Sequence, residues 1–343
     1  MSKRNKDFLL LCMSLVLLLT GCSATAIAPE PDPAEGYVGH PEAKIWLEKM
    51  KAEGFSEDYL TRILANARRQ DSIIKAMSRP AEKRLNWEQY RDIFVQPKRV
   101  EQGVAFWQEN QAALSRAAET YGVPEEIIVA IIGVETRYGR ITGSYRVVDA
   151  LATLGFDYPK RGSFFQGQLT EYLRMVQEEQ LDFAALKGSY AGAMGYGQFI
   201  PSSFRAYAVD FDGDGKRDIW NNRVDAIGSV ANYFAQHKWR AGEAVLAPVV
   251  FNQQAQDDWF NQSLKPTMSL GEWRKQGASA PLKFDDAALA TLMKLELNQG
   301  EQYWFGLHNF YVITRYNHSR LYAMAVYRLS EQIRAAYASA TAG

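Results

Sequence analysis

The sequence predicts a mainly α fold (α+β) with a small β-containing insert late in the chain. Three observations carry this expectation. Apolar residues recur at helical spacing from residue 41 to about 240, with breaks at Gly-rich turns. Residues 243–310 shift to short β-branched and aromatic runs separated by Gly, as in "EAVLAPVVF" and "LATLMKLELNQGEQYWFG". The stretch "SRLYAMAVYRLSEQIRAAY" then reads as an amphipathic helix that returns to the core.

The elements follow in order. Residues 1–21 have the layout of a signal peptide. Lys3, Arg4 and Lys6 form a basic start, and Phe8 to Leu19 is an apolar run too short to span a bilayer. The run ends in Leu19-Thr20-Gly21-Cys22, which resembles a bacterial lipoprotein processing box and implies lipidation of Cys22. Several acyl chains on one residue give stable anchoring. In the lipoproteins this box resembles, Asp at the next position retains the protein at the inner membrane, so the resemblance with Ser23 implies the outer membrane, facing the periplasm. The alternative is an ordinary secretory signal with an incidental cysteine. Cys12 lies in the removed segment, so a chain lipidated at Cys22 has no cysteine left for a disulfide.

Residues 22–40 are rich in Pro, Ala and Glu and read as a tether. Residues 41–100 read as a helical lobe. Ile45, Trp46 and Met50, then Tyr59, Ile63 and Leu64, recur at helical spacing, and Ser56 is placed to cap the second helix. Pro97 opens another helix. Residues 101–242 form a further, mostly helical region, 243–310 the β-containing insert, and 311–343 the closing helical part. No internal repeat is present.

With 343 residues the chain is long enough for one large domain or two to three smaller ones. Lys+Arg and Asp+Glu are each 39, so nothing in the charge balance calls for nucleic acid. Four scattered histidines argue against a His-based metal site.

"VPEEIIVAIIGVETRYG", beginning at Val123, raises the chemical question. Pro124 suits a helix start, and Glu125 and Glu126 suit its positive end. Ile128, Ile131, Ile132 and Glu135 then share one face. A carboxyl on an apolar face near a helix C-terminus has its anion disfavoured and its pKa raised, which suits a proton donor. The alternative is a Glu that reaches the surface or pairs with Arg137 or Arg140.

"DFDGDGKRDIWNN" reads as an EF-hand-like loop within 210–225. Asp210, Asp212 and Asp214 fill ligand positions, Gly215 makes the sharp turn, and Lys216 offers a carbonyl. Asn221 stands where a bidentate Glu is usual, and Asp225 is the substitute. The expected occupant is a structural Ca2+ or Na+, and an Asx-rich turn without an ion is the alternative.

Five stretches occur in register: "ETRYG" at 135–139, "GSYAGAMGYGQFIPSSF" at 188–204, "DFDGDGKRDIW" at 210–220, "VDAIGSVANYF" at 224–234 and "RYNHSRLYAMAV" at 315–326. Together they resemble the B-type lytic murein transglycosylases over about residues 40–335. The resemblance implies a lysozyme-like catalytic core across 101–242 and cleavage of peptidoglycan glycan strands. It implies Glu135 as the single acid, then base, with no catalytic cofactor. It implies Ser189 and Gln198 near the acetamido group or the Glu135 carboxyl, and Tyr233, Tyr316, Asn317 and Tyr322 bordering the cleft. Tyr90, Tyr190 and Phe199 are further candidates, and Lys160 and Arg161 would meet the acidic peptide stem. Peptidoglycan is the expected partner, with cell-wall synthesis or turnover proteins beside it. Two other readings stay open, a non-catalytic peptidoglycan-binding lipoprotein and a hydrolytic muramidase.

Overall fold

The computed structural model describes residues 36–78, 85–281 and 283–341. The signal peptide, Cys22 and most of the tether lie outside the described residues. Among the described residues no helix is long and apolar enough to cross a membrane.

The chain runs through α1 (Pro41–Ala52), α2 (Glu57–Asn66), α3 (Asp71–Met77), α4 (Trp87–Phe94), α5 (Pro97–Glu109), α6 (Gln111–Tyr121) and α7 (Glu125–Thr136). Next come β1 (Tyr145–Arg146), α8 (Val147–Phe156), α9 (Gly162–Glu178), β2 (Lys187–Gly188), α10 (Pro201–Tyr207) and α11 (Arg223–Gln236). The insert carries β3 (Leu246–Pro248), β4 (Val250–Phe251), β5 (Met268–Ser269), α12 (Leu270–Lys275), β6 (Ala278–Ser279), β7 (Leu289–Glu296) and β8 (Glu301–Gly306). The chain closes with α13 (His308–Tyr316) and α14 (Arg320–Thr341). The mainly helical fold with one small sheet region is the one expected.

Local signals explain the starts. Ser56 accepts from the Tyr59 amide and caps α2, while Pro41 and Pro97 open α1 and α5. On α1, Trp46 and Met50 are buried, as four-residue spacing requires. Ile45 is 66 % exposed, because its neighbour in sequence already holds the inward face.

The molecule divides into two compact units, each assembled from separate stretches of chain. One holds the described residues up to 78 and Gly139–Asn222. Here α9 packs on α8, whose ten residues are all buried, and α10 packs on α9. β1 and β2 pair antiparallel, Tyr145 opposite Gly188. The last described residues before α1 are stapled to this unit, since the buried Tyr37 hydroxyl donates to Asp157 at 2.6 Å.

The other unit holds the described residues from 85 to Tyr138 together with those from Arg223 onward. α7 runs through its centre, packed by α5, α6, α11 and α14. Ile127 to Thr136 are all buried, so α7 is covered on every side rather than on the single face its isoleucines suggested. Pro124 caps the helix from outside its first turn. The insert forms a four-stranded antiparallel sheet in the order β3-β8-β7-β5, with β4 and β6 paired separately. Phe260, Leu270, Trp273, Leu292 and Phe305 fill its own core.

Candidate active site

Glu135 sits in the last turn of α7 and is 6 % exposed. Burial pushes its carboxyl up to about 8, and a hydrogen bond from Tyr322 opposes that only in part. The Tyr322 hydroxyl, from the first turn of α14, donates to Oε1 at 2.5 Å. The backbone amide of Tyr322 is capped by Ser319 Oγ, which fixes where that ring begins.

Aromatic rings gather beside this pair within the same unit. Tyr316 lies 4.6 Å from Tyr233 and stacks on Phe234 at 5.8 Å. Burial, then the Glu135 charge, holds the Tyr316 phenol well above 10. Burial does the same for Tyr322, with Glu135, Tyr316 and Tyr90 adding to it. The Tyr233 hydroxyl donates to the Arg315 carbonyl at 2.6 Å, so it holds the end of α13 in place. Asn317 caps α13 and is half-buried. Tyr90, on α4, is buried against Phe94.

The stop of α7 is unusual. Arg137 (φ 52) and Tyr138 (φ 62) are both left-handed, and Gly139 follows at φ 82. Each non-glycine residue there costs about 1–2 kcal/mol. The reversal folds the Tyr138 ring back under its own helix. A Cβ on Gly133 would lie 2.6 Å from the Tyr138 hydroxyl, and so would one on Gly103 of α5. That hydroxyl donates to the Arg99 carbonyl at 2.8 Å. In return the buried Arg99 guanidinium donates to the Gly133 carbonyl at 3.0 Å. Burial draws the Arg99 pKa down to about 10. Arg99 and Tyr138 thus hold the turn that carries Glu135. The signal in the sequence was the pair of helical glycines, Gly103 and Gly133, whose missing side chains make room for one ring.

The Gly-rich segment belongs to the other unit. Ser189 is buried, and its Oγ accepts from the Ala193 amide at 3.1 Å, closing a tight turn. Gln198 adopts φ 51 and donates Nε2 to the carbonyls of Thr142 and Gly195 at 3.1 and 3.0 Å. Its Oε1 is buried with no hydrogen-bond partner among the described residues. Phe199 pairs with Met194 through both backbone groups, and Tyr190 is buried beside this turn. Lys160 and Arg161 are exposed on a short 3-10 turn, with the Arg161 guanidinium 4.4 Å over the Phe164 ring.

Asp210, Asp212 and Asp214 bring carboxylate oxygens within 4.8 Å of one another. Asp210 accepts from the amides of Gly213 and Gly215 at 2.7 and 2.8 Å, which wraps the loop around its carboxylates. Asp225 is fully buried in the first turn of α11. A set of hard oxygen donors suits Ca2+ or a similar cation.

Residues 40–331 match the family described as Transglycosylase SLT domain. The chain belongs to that family. This SLT-domain chain is 42% identical over 351 residues to membrane-bound lytic murein transglycosylase B of Escherichia coli K12, covering 94% of this chain and 96% of that protein. The catenated lytic transglycosylase SltB1 of Pseudomonas aeruginosa superposes with a TM-score of 0.84 at 50% identity, over 88% of this chain and 99% of its own. The Escherichia coli lytic transglycosylase Slt35, solved in complex with calcium, superposes with a TM-score of 0.80 at 43% identity, over 90% of this chain and 99% of its own.

Proposed function

We propose that this chain is a lytic transglycosylase that cleaves the β-1,4 bond between N-acetylmuramic acid and N-acetylglucosamine in peptidoglycan. The observation that carries the reading is a carboxyl that stays protonated at neutral pH, with one oxygen held by Tyr322. With Oε1 accepting from Tyr322, the proton resides on Oε2, free to protonate the glycosidic oxygen. As that bond breaks, the substrate's acetamido carbonyl supports the positive anomeric carbon. Glu135, now anionic, takes the proton from the muramic C6 hydroxyl, and that oxygen attacks C1. The product is a 1,6-anhydro end, formed without water. One carboxyl gives and then recovers a proton, so an acidity near working pH serves both steps.

Ser189 and Gln198 are read as the acetamido contacts. The unpartnered Gln198 Oε1 is a buried acceptor suited to an amide N–H. Tyr233, Tyr316, Asn317 and Tyr322 are read as the sugar-facing set, since aromatic faces stack on pyranose rings.

Asp210, Asp212, Asp214 and the Lys216 carbonyl would hold Ca2+, which would give the loop rigidity. The relative solved with calcium supports this reading. Lipidation at Cys22 would place the enzyme on the outer membrane, facing the periplasm. The relative named membrane-bound supports attachment to a membrane.

Digestion of murein sacculi followed by mass spectrometry tests the activity. Anhydro-muropeptides are expected from the wild type and none from Glu135→Gln. Products with only reducing-end muramic acid would make this a hydrolytic muramidase. Binding without any product would make it a non-catalytic lipoprotein.

A further inference from the structure

The β-containing insert carries a cavity of about 190 Å³ of its own. It lies wholly in the unit that holds Glu135 and Tyr322, yet none of its lining residues belongs to α7, α11, α13 or α14. One side is aromatic. The half-buried Trp259, from a short 3-10 turn at Asp257–Trp259, meets the buried Trp273 of α12 edge-on, with ring centroids 6.3 Å apart. The Trp273 indole N–H is spent on the Ala290 carbonyl at 3.4 Å, and the Thr291 hydroxyl on the Ser263 carbonyl at 2.7 Å. Other polar liners keep free capacity. The Trp259 indole N–H and the side-chain carbonyls of Gln262 and Gln276 have no hydrogen-bond partner among the described residues, and Asp258 forms no ion pair there. Among the described residues no Lys, Arg or His lines the cavity.

These liners select a ligand class. Without a cation the cavity disfavours carboxylates and phosphates, and a single carboxylate is too few ligands for a metal ion. A flat apolar ring beside amide carbonyls, an indole donor and one carboxylate suits a neutral ligand with a greasy face and several hydroxyls, which is a pyranose. The volume falls below the roughly 300–1,000 Å³ that hold drug-sized ligands, so it suits one ring of a longer chain. The cavity is also tied to the helix that carries Tyr322. The carbonyl of its liner Leu292 accepts from the Asn261 amide at 3.0 Å, and the Asn261 carbonyl accepts from the Arg320 guanidinium. Arg320 opens α14 two residues before Tyr322. A strand gripped here is therefore held in register with Glu135. Resting on the transglycosylase reading for the choice of polymer, we propose that the insert cavity is a second glycan site, which grips a pyranose of the peptidoglycan strand with residues that take no part around Glu135. Trp259 stacks on the apolar face of the sugar, and Asp258, Gln262 and Gln276 accept from its hydroxyl and acetamido donors.

The test needs no turnover, so its failure is distinct from failure of the activity. Glu135→Gln protein labelled with 15N is titrated with chitotetraose, a neutral β-1,4 chain of N-acetylglucosamine. The Trp259 indole signal, assigned by its loss in Trp259→Phe, should shift saturably. Asp258→Ala, a change at an exposed side chain, should weaken that titration about tenfold. An indole signal that does not move, or one that responds equally after Asp258→Ala, overturns the proposal. So does an equal shift with cyclohexanol, which would make the cavity a plain apolar cleft. On murein sacculi, adding Asp258→Ala to Glu135→Gln should lower the amount of protein that sediments with the wall several-fold. Equal retention of the two proteins overturns the assignment to the glycan strand.

Discussion

The Tyr322 hydroxyl donates to Glu135 Oε1 at 2.5 Å, joining two helices whose contact residues lie 187 positions apart. The bond selects which carboxyl oxygen carries the proton, and the burial around it decides that a proton is there at all.

Burial of Glu135 should appear as a pH-dependent stability cost. The folded pKa of about 8 lies above the ordinary 4.5. Protonation therefore favours the fold fully below the ordinary value, and that contribution fades as pH rises through the folded value. At pH 8 the charged form costs roughly 4–5 kcal/mol, and at pH 5 under about 1 kcal/mol. Glu135→Gln keeps an acceptor for Tyr322 and never ionises. It should unfold at a higher temperature than wild type at pH 8 and at nearly the same temperature at pH 5. Equal melting curves at both pH values would contradict the raised acidity constant.

The same acidity should limit turnover. kcat/KM is expected to fall with one proton lost near pH 8, where Glu135 ionises in the folded protein. Tyr322→Phe removes the one hydrogen bond that favours the carboxylate, so its alkaline limb should move to higher pH while kcat drops. A limb that stays in place would show that Tyr322 does not set the acidity of Glu135.

Gly133→Ala reverses a familiar sign. In an open helix this change gains about 1 kcal/mol. Here the added methyl would meet the Tyr138 ring at 2.6–2.7 Å, so a loss of about 1–3 kcal/mol is expected. Activity should fall with it, because the displaced turn carries Glu135 two residues on. Chemical denaturation together with a turnover assay measures both.

Calcium should stabilise without being consumed in catalysis. At roughly ten times a dissociation constant near 0.1 mM, binding adds about 1.4 kcal/mol, or about 2 °C in Tm. Asp210→Asn removes the carboxylate around which the loop wraps, and it should abolish the shift. A Tm indifferent to calcium and chelator would leave the loop a plain Asx turn.

Much of this was legible in the chain. The Ser56 cap, the starts at Pro41 and Pro97, the burial of Glu135 and the clustered loop carboxylates follow from local chemistry that needs only a few neighbouring residues. What was hidden depends on distant partners. The isoleucines of α7 suggested one buried face, because nothing local reveals that α5, α6, α11 and α14 surround it. Ile45 looked like core, yet α1 buries one face only, and there Trp46 takes the inward position. Tyr138 read as part of a recognisable motif. Its role under α7 required knowing that two glycines, thirty residues apart, leave space for the same ring.

The order of synthesis gives the position of α14 a further meaning. Glu135 is made early, yet the helix that supplies its hydrogen-bond donor begins only at Arg320. Until that closing segment emerges and docks on α7, Glu135 lacks the one side chain that donates to its carboxyl among the described residues. The last helix made is thus the one that completes the hydrogen bonding of the carboxyl.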